Sequence, residues 1–282
     1  MSVLPVSQTV ADLRARIAVE RNKGRTIGLV PTMGGLHEGH LSLFRAAREK
    51  ADTVVATLFV NPKQFDKADD FSAYPRTLEK DSEMMAECGV DLLYAPAISE
   101  IYPDGFLTKV SVAVLTDCLC GIHRPGHMDG VATVVTKLLI QSMPDIALFG
   151  EKDYQQLLMI KRLSKDLDLP IAIEGCPTIR EDDGLAMSSR NFYLSPAERQ
   201  IAPVLHQVLS GIAERAASGQ TIETALEEGK GRLLESGFSS VDYLEMRSAD
   251  DLSLMRTADR PARIFGAAFL GKARLIDNVA VN

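Results

Sequence analysis

Apolar residues recur along the chain with two spacings, one suited to helices and one to buried strands. Val6, Val10, Leu13 and Ile17 follow helical spacing behind a possible cap at Ser7, which predicts an opening amphipathic helix lying on a sheet. TIGLV (26–30) is a short apolar run that ends in PTMGG, and the segment HEGHLSLFRAAREK then sets Leu41, Phe44, Ala47 and Arg48 along one helical stripe. The order is strand, glycine turn, helix. It repeats with TVVATLFV (53–60), a helix over 76–88 and DLLYA (91–95), and again with DIALFG before the helical DYQQLLMIKRLSKDL. Continuous apolar strands alternating with helices predict βαβ units around a parallel sheet, covered on both faces.

Two polar stretches interrupt this alternation, GIHRPGHMDG (121–130) and the segment 177–191, and both read as loops able to carry function. The glycine and unpaired charges of the second suit a segment that moves on ligand binding. Beyond Asn191 the grammar changes. SPAE (195–198) is a capping box with proline at the first helical position, and two helices follow with a break at SGQ (218–220). VDYLEMRS, ARIFGAAFL and ARLIDNVAV then read as three strands, the last two joined in a tight hairpin across Gly271 and Lys272. The expected architecture is α/β, a doubly wound parallel sheet over 1–178 followed by a smaller α+β domain over 179–282.

Composition narrows the class. With 282 residues, 46% of them hydrophobic, the chain has material for a sizeable core, and a net charge of -7 offers no broad attraction for nucleic acid or an anionic membrane. The start MSVLPVSQ lacks the pattern of a secretory signal, and the apolar runs are too short to span a bilayer, so a cytoplasmic location is expected. Four cysteines, Cys88, Cys118, Cys120 and Cys176, are too few for a disulfide framework.

Candidate chemistry gathers where strands end. In MGGLHEGH the glycines let backbone approach a ligand, and His37 and His40, three residues apart at a helix start, flank the helix end that favours phosphate. Their spacing lacks the i, i+4 pair and third ligand of a helical zinc motif, and the CxC of Cys118 and Cys120 near His123 and His127 is tighter than zinc loops prefer. FVNPKQF offers Asn61 and Gln64 as neutral amides after the second apolar strand. FGEKDYQQL places Gly150 at a turn, Lys152 as a point charge, Asp153 within reach of ribose hydroxyls and Gln156 toward the same crevice. In AMSSRN, Ser188, Ser189 and Arg190 can donate to phosphate oxygens, and Arg124 in GIHRPGH can clamp a carboxylate.

Taken together and in order, PTMGGLHEGH, FVNPKQF, YPRT, RPGHMDGV, FGEKDYQQ and REDDGLAMSSRNFYL resemble the pantothenate synthetase family from about residue 31 to 194, with weaker similarity in the flanks. The resemblance implies a Rossmann-like fold of the HIGH-motif nucleotidyltransferase-like superfamily, a homodimer, Mg2+ and ATP. It implies condensation of pantoate with β-alanine through pantoyl adenylate, releasing AMP and pyrophosphate. On this match ATP is held by Met33, Gly34, Gly35, Leu36, His37, Glu38, Gly39 and His40, by Gly150, Glu151, Lys152 and Asp153, and by Ile179, Met187, Ser188, Ser189 and Arg190. His40 is the proton donor, with His37 and Lys152 stabilising charge. Gln64 and Gln156 hold pantoate with Asn61 nearby, Gln64 and Arg124 orient β-alanine, and Asp81 contributes to the metal. Gly35 stands where the family more often has alanine, and Met128 where it often has phenylalanine. Two other readings are a nucleotidyltransferase of the same superfamily, disfavoured by the neutral Gln64 and Gln156, and a silent nucleotide-binding regulator, disfavoured by the intact His37, His40, Lys152 and Arg190.

Overall fold

The apolar runs become parallel strands of a six-stranded sheet: β1 (Val6–Ser7), β2 (Ile27–Thr32), β3 (Thr53–Leu58), β4 (Leu92–Tyr94), β5 (Ile146–Gly150) and β6 (Ala172–Cys176). Their order is β1-β4-β3-β2-β5-β6, every pair parallel. From β2 the chain steps outward through β3 and β4, then returns to lay β5 on the other side of β2. The direction of winding therefore reverses between β2 and β5, and an open α/β sheet offers a crevice at the carboxyl ends of such a pair. The computed structural model describes residues 4–65, 71–72 and 74–282; the first three residues of the start read for a targeting signal lie outside these.

The chain divides into two units, 1–151 with 159–177, and 152–158 with 178–282. In the first, Val30, Val54, Leu93 and Leu148 of the sheet pack with Phe44 and Ala47 of α2 (Glu38–Lys50) and Met85 of α3 (Leu78–Glu87). The helical stripe read in α2 is thus its core face, with Leu41 packed at the margin and Arg48 paired to Asp91 at 2.6 Å.

Several boundaries differ from the sequence reading. The opening helix, α1 (Val10–Asn22), is capped by Thr9, whose hydroxyl accepts the Asp12 N–H. Ser7 belongs instead to β1, and its hydroxyl donates to Asp12 Oδ2 at 2.6 Å. Two residues separate strand from helix, so Val6 falls in phase with the helix although it lies outside it. The segment read as a loop over 121–130 ends in helix: α4 runs His127–Ser142, with Gly126 in the left-handed region before it. Most of α4 is buried, so it lacks the one-sided stripe that marks a surface helix. Strand β6 had no counterpart in that reading.

In the second unit, α6 (Pro196–Ile201) opens with the expected capping box: the Glu198 N–H donates to Ser195 Oγ and the Ser195 N–H to Glu198 Oε2. α7 (Val204–Ala217) and α8 (Glu223–Glu235) follow, so three helices stand where two were read. They cover an antiparallel sheet of β7 (Ser240–Ser248), β8 (Ala262–Leu270) and β9 (Ala273–Val281), with Leu270 opposite Ala273 across the hairpin. Leu205, Leu209, Ile212, Leu244, Met246 and Ile264 centre its core. The remaining long helix is α5 (Tyr154–Asp166), entered through the turn Glu151–Asp153. No helix among the described residues is long and apolar enough to cross a membrane.

Candidate active site

β2 ends at Thr32, and the chain turns at once through Gly34 (φ 85°) and Gly35 (φ 64°), left-handed conformations that cost glycine nothing. A buried carboxylate fixes this turn. Asp81, 1% exposed, accepts the N–H groups of Gly35 (3.0 Å) and Leu36 (3.1 Å) and the Thr77 hydroxyl (3.1 Å). A side chain on Gly34 would sit 3.0 Å from Asp81 Oδ2, so the glycine also lets the carboxylate approach. Asp81, expected to help bind a metal, holds the turn through these three donors.

The turn delivers His37 as the N-cap of α2. Its Nδ1 accepts the Gly39 N–H at 3.2 Å, while the His37 N–H donates to His40 Nδ1 at 3.4 Å. A nitrogen that accepts carries no proton, so in the neutral rings the hydrogen resides on Nε2 of both. The rings lie 4.1 Å apart at the positively polarised start of α2. Glu38, beside them, is paired with Arg45, whose guanidinium holds its carboxyl below the usual range.

β3 ends three residues before Asn61, in register with β2 throughout. Asn61 is 1% exposed: its Oδ1 accepts Tyr102 OH (2.8 Å) and the Lys63 N–H (3.3 Å), and its Nδ2 donates to Gln64 Oε1 (2.9 Å) and the Gly130 carbonyl (3.1 Å). Burial raises the Tyr102 pKa, which keeps the phenol a donor. With its bonding capacity used in this way, Asn61 orients Gln64, a task the sequence did not reveal. Gln64 Nε2 reaches Met33 Sδ at 3.1 Å and so ties the β3 turn to the β2 turn.

The Gln64 carbonyl receives Arg124 Nη2 (3.2 Å) and His127 Nδ1 (2.7 Å). Because a carbonyl only accepts, His127 carries its proton on Nδ1, and its Nε2 accepts Arg124 Nη1 at 3.1 Å. Arg124, 9% exposed, is thereby built into the wall around Gln64. Met33, Gly34, Gly35, Leu36, His37, His40, Asn61, Gln64 and Arg124 are thus brought together at the strand tips of the first unit, where β5 also delivers Gly150 and Glu151. Gly35, at the first departure from the family pattern, keeps the turn; Met128, at the second, is buried in α4.

In the second unit, Lys152 and Asp153 lie in the turn before α5, with Lys152 Nζ 3.6 Å from Asp153 Oδ2, and Gln156 is half-buried on α5. The segment over 178–191 is a hairpin. Arg180 pairs with Ala186, and the Met187 N–H donates to the Ile179 carbonyl at 3.0 Å, which sets Ile179 beside Met187. Ser188 caps the turn Ser189–Tyr193 by accepting the Arg190 N–H. The charges read as unpaired are in part paired: Arg180 with Asp277 at 2.7 Å and Asp183 with Arg199 at 2.5 Å. Among the described residues no group of three or more His, Cys, Asp or Glu side chains could hold a metal ion.

A profile of the Pantoate-beta-alanine ligase family matches residues 5–280. The pantothenate synthetase of Roseobacter denitrificans is 52% identical over 278 residues, 99% of this chain and 98% of that protein. The crystal structure of pantothenate synthetase from Thermus thermophilus superposes with a TM-score of 0.92 at 46% identity, covering 99% of each chain. The pantoate-beta-alanine ligase of Francisella tularensis, solved in complex with beta-gamma ATP and beta-alanine, gives a TM-score of 0.83 at 34% identity, over 99% of this chain and 98% of that one.

Proposed function

The chain belongs to the pantoate-beta-alanine ligase family, and from that premise we propose how its residues divide the work. It is an ATP-dependent ligase that condenses (R)-pantoate with β-alanine to pantothenate through pantoyl adenylate. A pantoate carboxylate oxygen attacks the α-phosphorus of ATP as the bond to pyrophosphate breaks. The β-alanine amine then attacks the acyl carbon, the carbon–oxygen bond to AMP breaks, and the nitrogen loses a proton. A poor acyl donor is thus made into a good one, and one hard step becomes two easier ones.

In the first step, charge grows on the oxygens of the phosphate under attack and of the departing pyrophosphate. The observation that carries our reading is the pair of imidazoles at the start of α2, both with Nδ1 committed to backbone N–H groups and therefore both offering Nε2–H. His40 donates to the leaving group, and His37 and Lys152 stabilise the charge; preorganised donors of this kind need no rearrangement during reaction. The turn residues 33–40, with Gly150, Glu151, Lys152 and Asp153, hold ATP, and Ile179, Met187, Ser188, Ser189 and Arg190 close over it. Gln64 and Gln156 bind pantoate, Asn61 sets the angle of Gln64, and Gln64 with Arg124 orients β-alanine. A neutral amide suits a hydroxy acid that must keep its carboxylate nucleophilic. Mg2+ would be held by oxygens of the triphosphate and by water, and would offset charge on the phosphates. The family resemblance also supports a homodimer working in the cytoplasm, which light scattering and fractionation check.

Pantoate-dependent exchange of pyrophosphate into ATP, followed by product analysis after β-alanine is added, tests the reading. AMP and pantothenate without ADP are expected, and chelation of Mg2+ should abolish exchange. Exchange that ignores pantoate would refute the assignment.

A further inference from the structure

β9 carries two consecutive buried polar side chains, Asp277 at 5% and Asn278 at 2% exposure. Asp277 grips Arg180 with both oxygens, at 2.7 and 2.9 Å, and also accepts the Asn278 N–H at 2.8 Å. Arg180 in turn donates to the Gly184 carbonyl at 3.0 Å and pairs with Ala186, so this contact ties β9 to the stem of the hairpin that presents Met187, Ser188, Ser189 and Arg190. Asn278 reaches a different segment. Its Nδ2 donates to the Lys152 main-chain carbonyl at 3.0 Å, while its Oδ1 accepts Arg263 Nε at 2.6 Å. The Arg263 guanidinium lies over the Tyr154 ring, 4.1 Å from its centre, and Tyr154 OH donates to the Ala249 carbonyl at 3.1 Å. Tyr154, two residues after Lys152, is therefore pinned as well.

A buried ion pair or amide stabilises a fold little better than apolar side chains of equal volume would. What the polar pair adds is direction: Asn278 fixes the Lys152 backbone directly, and Asp277 fixes the hairpin stem through the Arg180 guanidinium. We propose that Asp277 and Asn278 are positioning residues for adenylation: from one strand they hold the Lys152 backbone and the stem of the 187–190 hairpin at a fixed separation. The proposal rests on the reading of Lys152 and the hairpin as ATP contacts. Neither Asp277 nor Asn278 touches substrate in this scheme; both act through the segments they hold.

The two half-reactions separate positioning from general structural support. Adenylation is read by pantoate-dependent pyrophosphate exchange, and acyl transfer by pantothenate formation from supplied pantoyl adenylate and β-alanine, both with the full-length enzyme. Asn278→Asp keeps the acceptor for Arg263 but sets a carboxylate oxygen against the Lys152 carbonyl, and Asp277→Asn weakens the grip on Arg180. Each should lower exchange, measured as kcat/KM for ATP, about 10-fold or more while acyl transfer stays within about two-fold. Ile264→Val, a core change in β8, should shift melting yet leave both half-reactions intact. The proposal is overturned if both variants exchange at the parental rate, or if both half-reactions fall together in step with melting temperature. Should Asn278→Asp not fold, Asp277→Asn decides by the same criteria. Lys152→Ala calibrates the assay: normal exchange in that variant would remove the reading beneath the proposal, whereas slow exchange there with normal exchange in the β9 variants would remove the proposal alone.

Discussion

Gly130→Ala sets two effects against each other. Gly130 lies in the first turns of α4, where alanine would favour helix by about 1 kcal/mol. Its added Cβ, however, would stand 2.2 Å from the Lys63 carbonyl oxygen, 2.6 Å from the Lys63 carbonyl carbon and 2.9 Å from the Gln64 nitrogen. Ordinary contact between such atoms begins at about 3.5 Å, so the turn Pro62–Gln64 has to retreat by about 1 Å. Overpacking of this kind costs about 1–3 kcal/mol and outweighs the helical gain. Because the atoms met are backbone and cannot swing aside, the upper part of that range applies and the net change should be a loss of roughly 2 kcal/mol. Function is the more sensitive reporter, because the same retreat carries Gln64 and strains the Asn61 bond to the Gly130 carbonyl. A displacement of about 1 Å in a substrate-positioning group costs on the order of 100-fold. Steady-state kinetics should show kcat/KM for pantoate falling by about that factor, with KM for ATP changed far less and melting lowered by several degrees. A folded variant with parental kcat/KM for pantoate would refute the claim that this backbone contact sets Gln64.

Two further outcomes follow from buried carboxylates. Asp81→Ala leaves the Gly35 and Leu36 N–H groups without their acceptor, and at about 1–3 kcal/mol for each orphaned group it should cost roughly 2–6 kcal/mol in urea denaturation, together with weaker ATP binding; a loss under about 1 kcal/mol would contradict the role given to Asp81. Burial opposes ionisation of Asp277, but His206 and Arg180 outweigh it and hold its carboxyl below the ordinary value of 3.8. Its contribution to stability is complete above that value and is lost as pH falls through the lower folded one, so Asp277→Asn should lose less stability on acidification than the parent does; parallel curves would contradict this.

Much of this was legible in the sequence, for identifiable reasons. β2, β3 and β5 are buried on both faces and read as unbroken apolar runs, and the glycine turn and histidine pair stand directly after one of them. α4 escaped because Pro125 and Gly126 introduce it and burial on nearly every side erases its stripe, although Gly126 before His127 is a boundary signal. β1 escaped because two residues in phase with the following helix carry no period of their own. Asp81, Gly130, Asp277 and Asn278 could not be found by spacing. Asp81, Gly130 and Asn278 act on backbone distant in sequence, as Asn278 does on Lys152 across 126 positions, and Asp277 acts on the likewise distant Arg180 side chain; no local pattern records such a contact.

The central claim is that His40 serves adenylation through Nε2–H while its Nδ1 caps α2. Single-turnover formation of pantoyl adenylate by the parent, His40→Asn and His40→Gln tests it directly, because the asparagine amide can replace the Nδ1 acceptor and the glutamine amide can reach the place of Nε2. Both variants should bind ATP; His40→Asn should form the adenylate at least about 100-fold more slowly than the parent, and His40→Gln should recover part of the loss. Adenylation by His40→Asn at the parental rate would contradict the account.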